Sequence, residues 1–310
     1  MDASQVTANN NGYLWVCCSF VSFLSTNFAL GYLIPSNAKK SPHHMWKWKN
    51  IANSLLHSSI TGIWAMVCFL QIPAMKDDLI NNYSVSAQGV ISLSVGYFIY
   101  DLIDMAVHDA KRSSGLLIHH CLVVSCFGLS VCTNYYQGYS LVALLVEVNS
   151  IFLHFRQLML LYGVDKSSVT YRVNGMLNLA TFVIFRVFTM GGMLHWLLAH
   201  RADLSTTVFG LGVFSLIVIM GMNFQLLYRV WKSDYKKTSQ LKGREIPEKI
   251  VKPLQSHQLQ DHLGIQPNGK CEIRNHQDVS QSSLTTKVPS PILDDDSKNV
   301  DTNGKFLKSE

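Results

Sequence analysis

Seven apolar blocks alternate with short polar segments from Leu14 to Val230. A helix needs about 20 mainly apolar residues to cross the hydrocarbon core. The blocks predict spans over Leu14 to Ile34, Ile51 to Ile72, Ala87 to Val107, Gly115 to Thr133, Ser140 to Tyr162, Gly175 to Leu198 and Thr206 to Val230. Pro35 and Pro73 close the first two. From Ser233 onward the chain is rich in Lys, Asp, Ser, Gln and Asn without apolar periodicity, which predicts a disordered tail. The fold class is therefore all-α, a polytopic membrane protein of about seven transmembrane helices.

The loops test that count. Lys39, Lys40, Lys47 and Lys49 follow the first span, and Lys111 and Arg112 the third. Lys166 and Arg172 follow the fifth, and Arg229, Lys232, Lys236 and Lys237 sit at the end of the seventh. The intervening loops offset Lys76 with Asp77 and Asp78, carry no charge, or offset Arg201 with Asp203. Lys and Arg prefer the cytoplasmic side. Seven spans place all the basic segments on that side, with the N-terminus outside and the tail cytosolic. A signal peptide ending near Ser36-Asn37-Ala38 is the competing reading of the first block. No basic residue precedes that block, and cleavage would leave its lysines outside. Asn82-Tyr83-Ser84 is a glycosylation sequon in an outside loop.

Composition supports the same class. Of 310 residues 48% are hydrophobic and 15% charged, where soluble domains carry about 25% charged residues. Six of the seven cysteines lie in apolar blocks; Cys271 is in the tail. Neither zinc-ligand spacing, nor HExxH, nor a glycine-rich phosphate loop occurs, so no metal or cofactor is expected. No nucleic-acid partner is expected, and oligomeric state is left open.

Polar residues inside the blocks carry the candidate chemistry. Tyr97, Asp101, Asp104 and His108 form one stripe of the third helix. Intramembrane carboxylates are costly unless paired or facing water. They read either as an ion-pair network, with Arg156 and Arg186 as partners, or as the wall of a polar cavity. His119 and His120 begin the fourth helix; adjacent helical residues diverge by about 100°, which argues against a two-histidine metal clamp. On the fifth helix Glu147, Ser150 and His154 share a face opposite Asn149 and Arg156. Asn50, Asn53, His57 and Thr61 stripe the second. Together these helices predict a chamber lined by acids, histidines and an arginine.

These residues resemble the TLC (TRAM-LAG1-CLN8) domain family, and within it the branch of TLC domain-containing proteins 1 and 2. The matching segments are Trp46-Lys47-Trp48-Lys49-Asn50, Ser54 to Ser58, Ser94 to Phe98 with Asp101 and Asp104, His119-His120, Leu144 to Asn149, Phe152 to Arg156, Tyr171 to Asn174 and Phe185-Arg186. The resemblance runs from Trp46 to the end of the seventh span, matches the first span loosely and excludes the tail. It implies three regions: residues 1–45 with an added span, a six-helix TLC domain at 46–232, and a cytosolic tail at 233–310.

Ceramide synthases share that fold and use paired histidines for acyl transfer. Carried over, the catalytic role falls on His119 and His120, with Asp101 and Asp104 as nearby acids; in acyl transfer Glu147 or Asp104 would orient the ring or shuttle its proton. Their later His-Asp pair is missing, since the region reads Glu147-Val148-Asn149. Lipid or headgroup contacts fall on His57, Tyr97, His108, His154, Arg156 and Arg186. The nearer branch implies a plasma-membrane regulator of phospholipid composition and fluidity that limits polyunsaturated chains, with phospholipids and fatty-acyl chains as partners. The alternatives are a histidine-dependent acyltransferase using acyl-CoA as substrate, in the plasma membrane or the endoplasmic reticulum, and a transporter or channel. The halves show no internal repeat of the kind transporters often carry.

Overall fold

The computed structural model describes the backbone of residues 3–236 and the side chains of residues 11–234. The expected tail lies outside the described residues from residue 237 onward. Among the described residues there are seven helical spans: Asn11–Leu33, Pro42–Gln71, Val85–Asp109, Ser114–Thr133, Gln137–Tyr162, Val169–Ala199 and Thr206–Asp234. They are built from α1 (Ala3–Leu30), α2 (Pro42–Gln71), the short α3 (Ala74–Asp77), α4 (Val85–Asp109), α5 (Ser114–Thr133), α6 (Gln137–Leu144), α7 (Val146–Tyr162), α8 (Val169–Phe182), α9 (Thr189–Ala199) and α10 (Thr206–Trp231). No strand occurs among the described residues. Inside a bilayer only helices or closed barrels satisfy every backbone group, so an all-helical bundle is what this chain requires. Phe188, Phe214, Phe224 and Leu70 point outward as an apolar surface suited to lipid.

Local chemistry sets the ends. α2 starts nine residues before the expected Ile51 because Ser41 caps it, accepting from His44 N at 3.2 Å, and Pro42 takes the first turn. Ser168 and Ser205 cap α8 and α10. Gly163, at φ +87°, ends α7 in the left-handed conformation. The fifth and sixth spans are not uniform. The fifth breaks at Leu145 into α6 and α7, and the sixth carries a π-helical turn at Val183–Phe188 between α8 and α9.

The loops sort to two ends. At the basic end Asn37 Nδ2 donates to Tyr162 O at 2.7 Å, His43 lies 3.5 Å from Asp109, and Lys166 donates to Ser233 O at 2.9 Å. At the other end Tyr136 N donates to Ile80 O at 2.7 Å, and Gln137 accepts from Ser84 N at 3.0 Å. There the Asn81 backbone N–H, helped by its side chain, holds the Asp78 carboxyl below the usual carboxylate range. Asn82 of the sequon donates its side-chain amide to Ala74 O at 2.5 Å, just ahead of α4.

α1 is bonded into the bundle. Ser19 Oγ donates to Leu93 O at 2.6 Å, and Asn53 Nδ2 donates to Phe23 O at 3.0 Å. Gly96 lets α4 approach so closely that an added Cβ would run into Val16 O and Ser19. Small residues at such crossings are how membrane helices gain packing. Gly96→Val is expected to destabilise the protein by about 1–3 kcal/mol, as overpacking does. The check is thermal unfolding in detergent; an unchanged melting temperature would place α1 elsewhere.

Candidate functional site

A cavity of about 760 Å³ lies between α2, α4, α5, α6, α7, α9 and α10. That is within the 300–1,000 Å³ common for small-ligand sites. Its lining on α10 runs from Val208 to Arg229, a length of roughly 30 Å at 1.5 Å per residue. The lining changes character along that length. Lys47, Arg112 and Arg229 stand at the basic end. Asp101, His119, His120 and His154 follow, then Ser58, Glu147, Ser150, Arg186 and Asn223 near mid-span. Met193, Trp196, Leu197, Leu204 and Leu211 close the far end.

Each helix delivers its polar groups by simple spacing. Glu147, Ser150 and His154 fall on one face of α7 and all reach the cavity, while Asn149 and Arg156 point elsewhere. Ser58 Oγ donates to Glu147 Oε2 at 2.6 Å, tying α2 to α7. Gly62, one turn on, permits this approach: an added Cβ would sit 3.0 Å from Val148 N. Both histidines of α5 touch the cavity, with ring centroids 5.4 Å apart. They are not equivalent. His120 is buried, and its Nδ1 lies 3.6 Å from Asp101 Oδ2, beyond hydrogen-bond range. His120 Nδ1, His154 Nδ1 and Tyr139 Oη are buried without a protein hydrogen-bond partner, and all three residues line the cavity. A buried polar atom left unpaired costs about 1–3 kcal/mol, so these three sit in the chamber's wall at a cost.

The α4 stripe divides. Asp101 faces the cavity and accepts from Asn50 Nδ2 at 2.5 Å. Asp104 lies behind it and accepts from the same Asn50 nitrogen at 3.0 Å and from Trp46 Nε1 at 2.8 Å. His108 stacks on Trp46 at 5.6 Å and is outside the lining. Tyr97 donates to Ser54 Oγ at 2.8 Å at the cavity wall, and His57 stacks flat behind it at 3.8 Å. So Asp101, His119, His120, Glu147, Tyr97, His154 and Arg186 meet in one chamber, and Asp104, His57, His108 and Arg156 pack around it.

The two arginines lie apart from the α4 carboxylates. Arg156 makes a bidentate pair with Asp234, donating from Nε at 2.7 Å and from a terminal nitrogen at 2.5 Å, at the basic end of the bundle. Arg186 projects from the π-helical turn, a distortion that often occurs at functional sites. It donates to Asn149 Oδ1 at 2.6 Å, to Ser150 Oγ at 2.8 Å and to Asn223 Oδ1. Asn223 and Tyr139 are lining residues that the sequence reading passed over. The signal for Asn223 was an amide inside an otherwise apolar span.

The TLC domain profile matches residues 47–232. TLC domain-containing protein 2 of Danio rerio is 43% identical over 71% of this chain and 89% of its own length. The Mus musculus protein of the same name is 36% identical over 72% of this chain and 71% of its own. TLC domain-containing protein 1 of Homo sapiens is 29% identical over 65% of this chain and 81% of its own. No solved structure matches this chain. A profile covering more than half the chain, on a seven-span helical bundle, leaves one assignment: the chain belongs to the TLC domain family.

Proposed function

We propose that this protein regulates the acyl composition of membrane phospholipids, limiting polyunsaturated chains and so membrane fluidity, by holding a phospholipid or fatty-acyl chain in the chamber. The observation that supports it is the grading of one cavity, basic at one end, polar in the middle and mainly apolar, with Tyr139 beside Trp196, at the other. An amphiphile with an anionic head and a long tail matches that order. The basic end then faces the cytosol, in keeping with the preference of Lys and Arg. The plasma membrane is the expected site, residues 46–232 the working unit, and residues 1–45 a further span packed on it.

A second reading is favoured by one contact, the approach of His120 to Asp101. In it the protein is an acyltransferase acting on an acceptor other than a sphingoid base. One imidazole attacks the thioester of an acyl-CoA; an N–acyl bond forms as the C–S bond breaks and the CoA thiolate leaves. The acceptor then attacks the acyl-imidazole, freeing the ring, and its proton goes to the thiolate. Asp101 would orient the ring, a role worth testing because positioned acid–base groups contribute about 10²–10⁴-fold.

One experiment addresses both. Cells lacking the protein receive wild type or the double change His119→Ala with His120→Ala, at matched membrane expression. Phospholipid mass spectrometry is expected to show a raised polyunsaturated fraction that wild type reverses. An unchanged profile on removal would refute the regulatory reading. If the double variant fails to reverse the change, the histidines act and the acyltransferase reading leads; full reversal by the variant excludes it.

A further inference from the structure

Arg186 is the most unusual group in the chamber. It sits near the middle of the sixth span, where a guanidinium needs a counter-charge or water. Among the described residues no carboxylate forms an ion pair with it. Its partners are neutral: Asn149, Ser150 and Asn223 each take one N–H. These acceptors are themselves anchored, Asn149 Nδ2 donating to Asn178 O at 2.9 Å and Asn223 Nδ2 to Ile219 O at 2.9 Å. The guanidinium is thus aimed and held by neutral groups; Glu147, across the same chamber, acts on it electrostatically but makes no ion-pair contact.

The donors left over have a definite shape. A guanidinium carries five N–H groups in a rigid fork. The three bonds use Nε–H and one hydrogen on each terminal nitrogen, leaving one N–H on each terminal nitrogen. One donor from each terminal nitrogen is the set that an end-on carboxylate takes up with its two oxygens. Beyond Arg186 the same helix face continues with Met190, Met193 and Leu197, all lining the chamber. That stripe covers roughly 16 Å of helix. Its methionines are unbranched and adapt to guests of varied shape.

We propose that Arg186 is the carboxylate anchor for a free long-chain fatty acid, whose tail lies along Met190, Met193 and Leu197. This deepens the regulatory reading and rests on it: the species sampled is the unesterified acid. A phosphate head belongs instead at the basic end, where Lys47, Arg112 and Arg229 stand.

The test uses the full chain in detergent and a palmitic acid bearing a diazirine at its tail end. Crosslinked peptides are expected to fall between Met190 and Leu197. Oleate is expected to displace the probe at roughly 10–100-fold lower concentration than methyl oleate, which has the same tail and no charge. Arg186→Gln should abolish that difference. Should Arg186→Gln fail to fold, Leu197→Trp, which fills the tail end, is expected to lower labelling by about tenfold or more. The wild-type comparison decides by itself, since equal displacement by acid and ester overturns the proposal. Displacement by dioleoyl phosphatidylcholine or oleoyl-CoA but not by oleate also overturns it, while leaving the regulatory reading standing. If none of these lipids displaces the probe, both fall.

Discussion

Asp234→Ala is expected to lower the unfolding free energy by about 3–5 kcal/mol, and Arg156→Ala by about 2–3 kcal/mol. Arg156 is buried and Asp234 largely so, with side-chain exposures of 7% and 11%. Removing one member of such a pair strands the other charge away from water, which is why the cost exceeds that of a surface ion pair by several-fold. The inequality follows from what each partner keeps. Without Arg156, Asp234 retains the Tyr171 hydroxyl at 2.8 Å and Lys166 at 3.6 Å. Without Asp234, Arg156 retains Ser233 at 3.2 Å and the Tyr171 ring at 5.7 Å. Chemical unfolding in detergent, run as a double-mutant cycle with Arg156→Leu and Asp234→Leu, measures this. The double variant should recover much of the loss. Equal single costs below about 1 kcal/mol would mean the pair is solvated in the membrane-bound protein.

The second large effect is expected at Asn50. One amide nitrogen donates to both Asp101 and Asp104, and so holds two carboxyl groups beside each other. Asn50→Leu keeps the volume and deletes the donor. Asp101 is 3% exposed, so its carboxyl group would lose its closest donor with little water to replace it. A cost of about 2–4 kcal/mol is expected, and Asn50→Leu combined with Asp101→Leu should be milder than Asn50→Leu alone. Unfolding midpoints of the two variants decide the point; the double variant being the worse one would show that Asp101 contributes through contacts other than Asn50.

Much of this was legible in the sequence because bilayer physics simplifies the code. Apolar blocks of helix length and alternating loop charge gave all seven spans, with the end of the fourth at Thr133 and the start of the seventh at Thr206 unchanged in the structure. Period-3.6 spacing put Glu147, Ser150 and His154 on one face, and they do share the chamber. What escaped depends on geometry that spacing does not encode. Ser41-Pro42 is a helix start, but the lysines after it read as loop because α2 runs on beyond the apolar block. The pairing of Arg156 with Asp234 spans 78 residues, and intramembrane acids looked like nearer partners. Asn149 looked like a face opposite the chamber, yet through its side-chain oxygen it sets Arg186, which is in the chamber.

The π-helical turn at Val183–Phe188 bears on residue counting along the sixth span. A wide turn accommodates one residue more than an α-helical turn would, so the helix after it keeps the phase it would have had without the extra residue. Asn178, which contacts Asn149, lies before the turn; Met190, Met193 and Leu197 lie after it. Losing a single residue beyond the turn, where nothing takes up the change, would swing the later side chains by about 100°. The tail-lining face would then meet the bilayer instead of the chamber. The wide turn is thus slack built into the span, taking up one residue while Arg186 within it and the chamber wall beyond it stay in register.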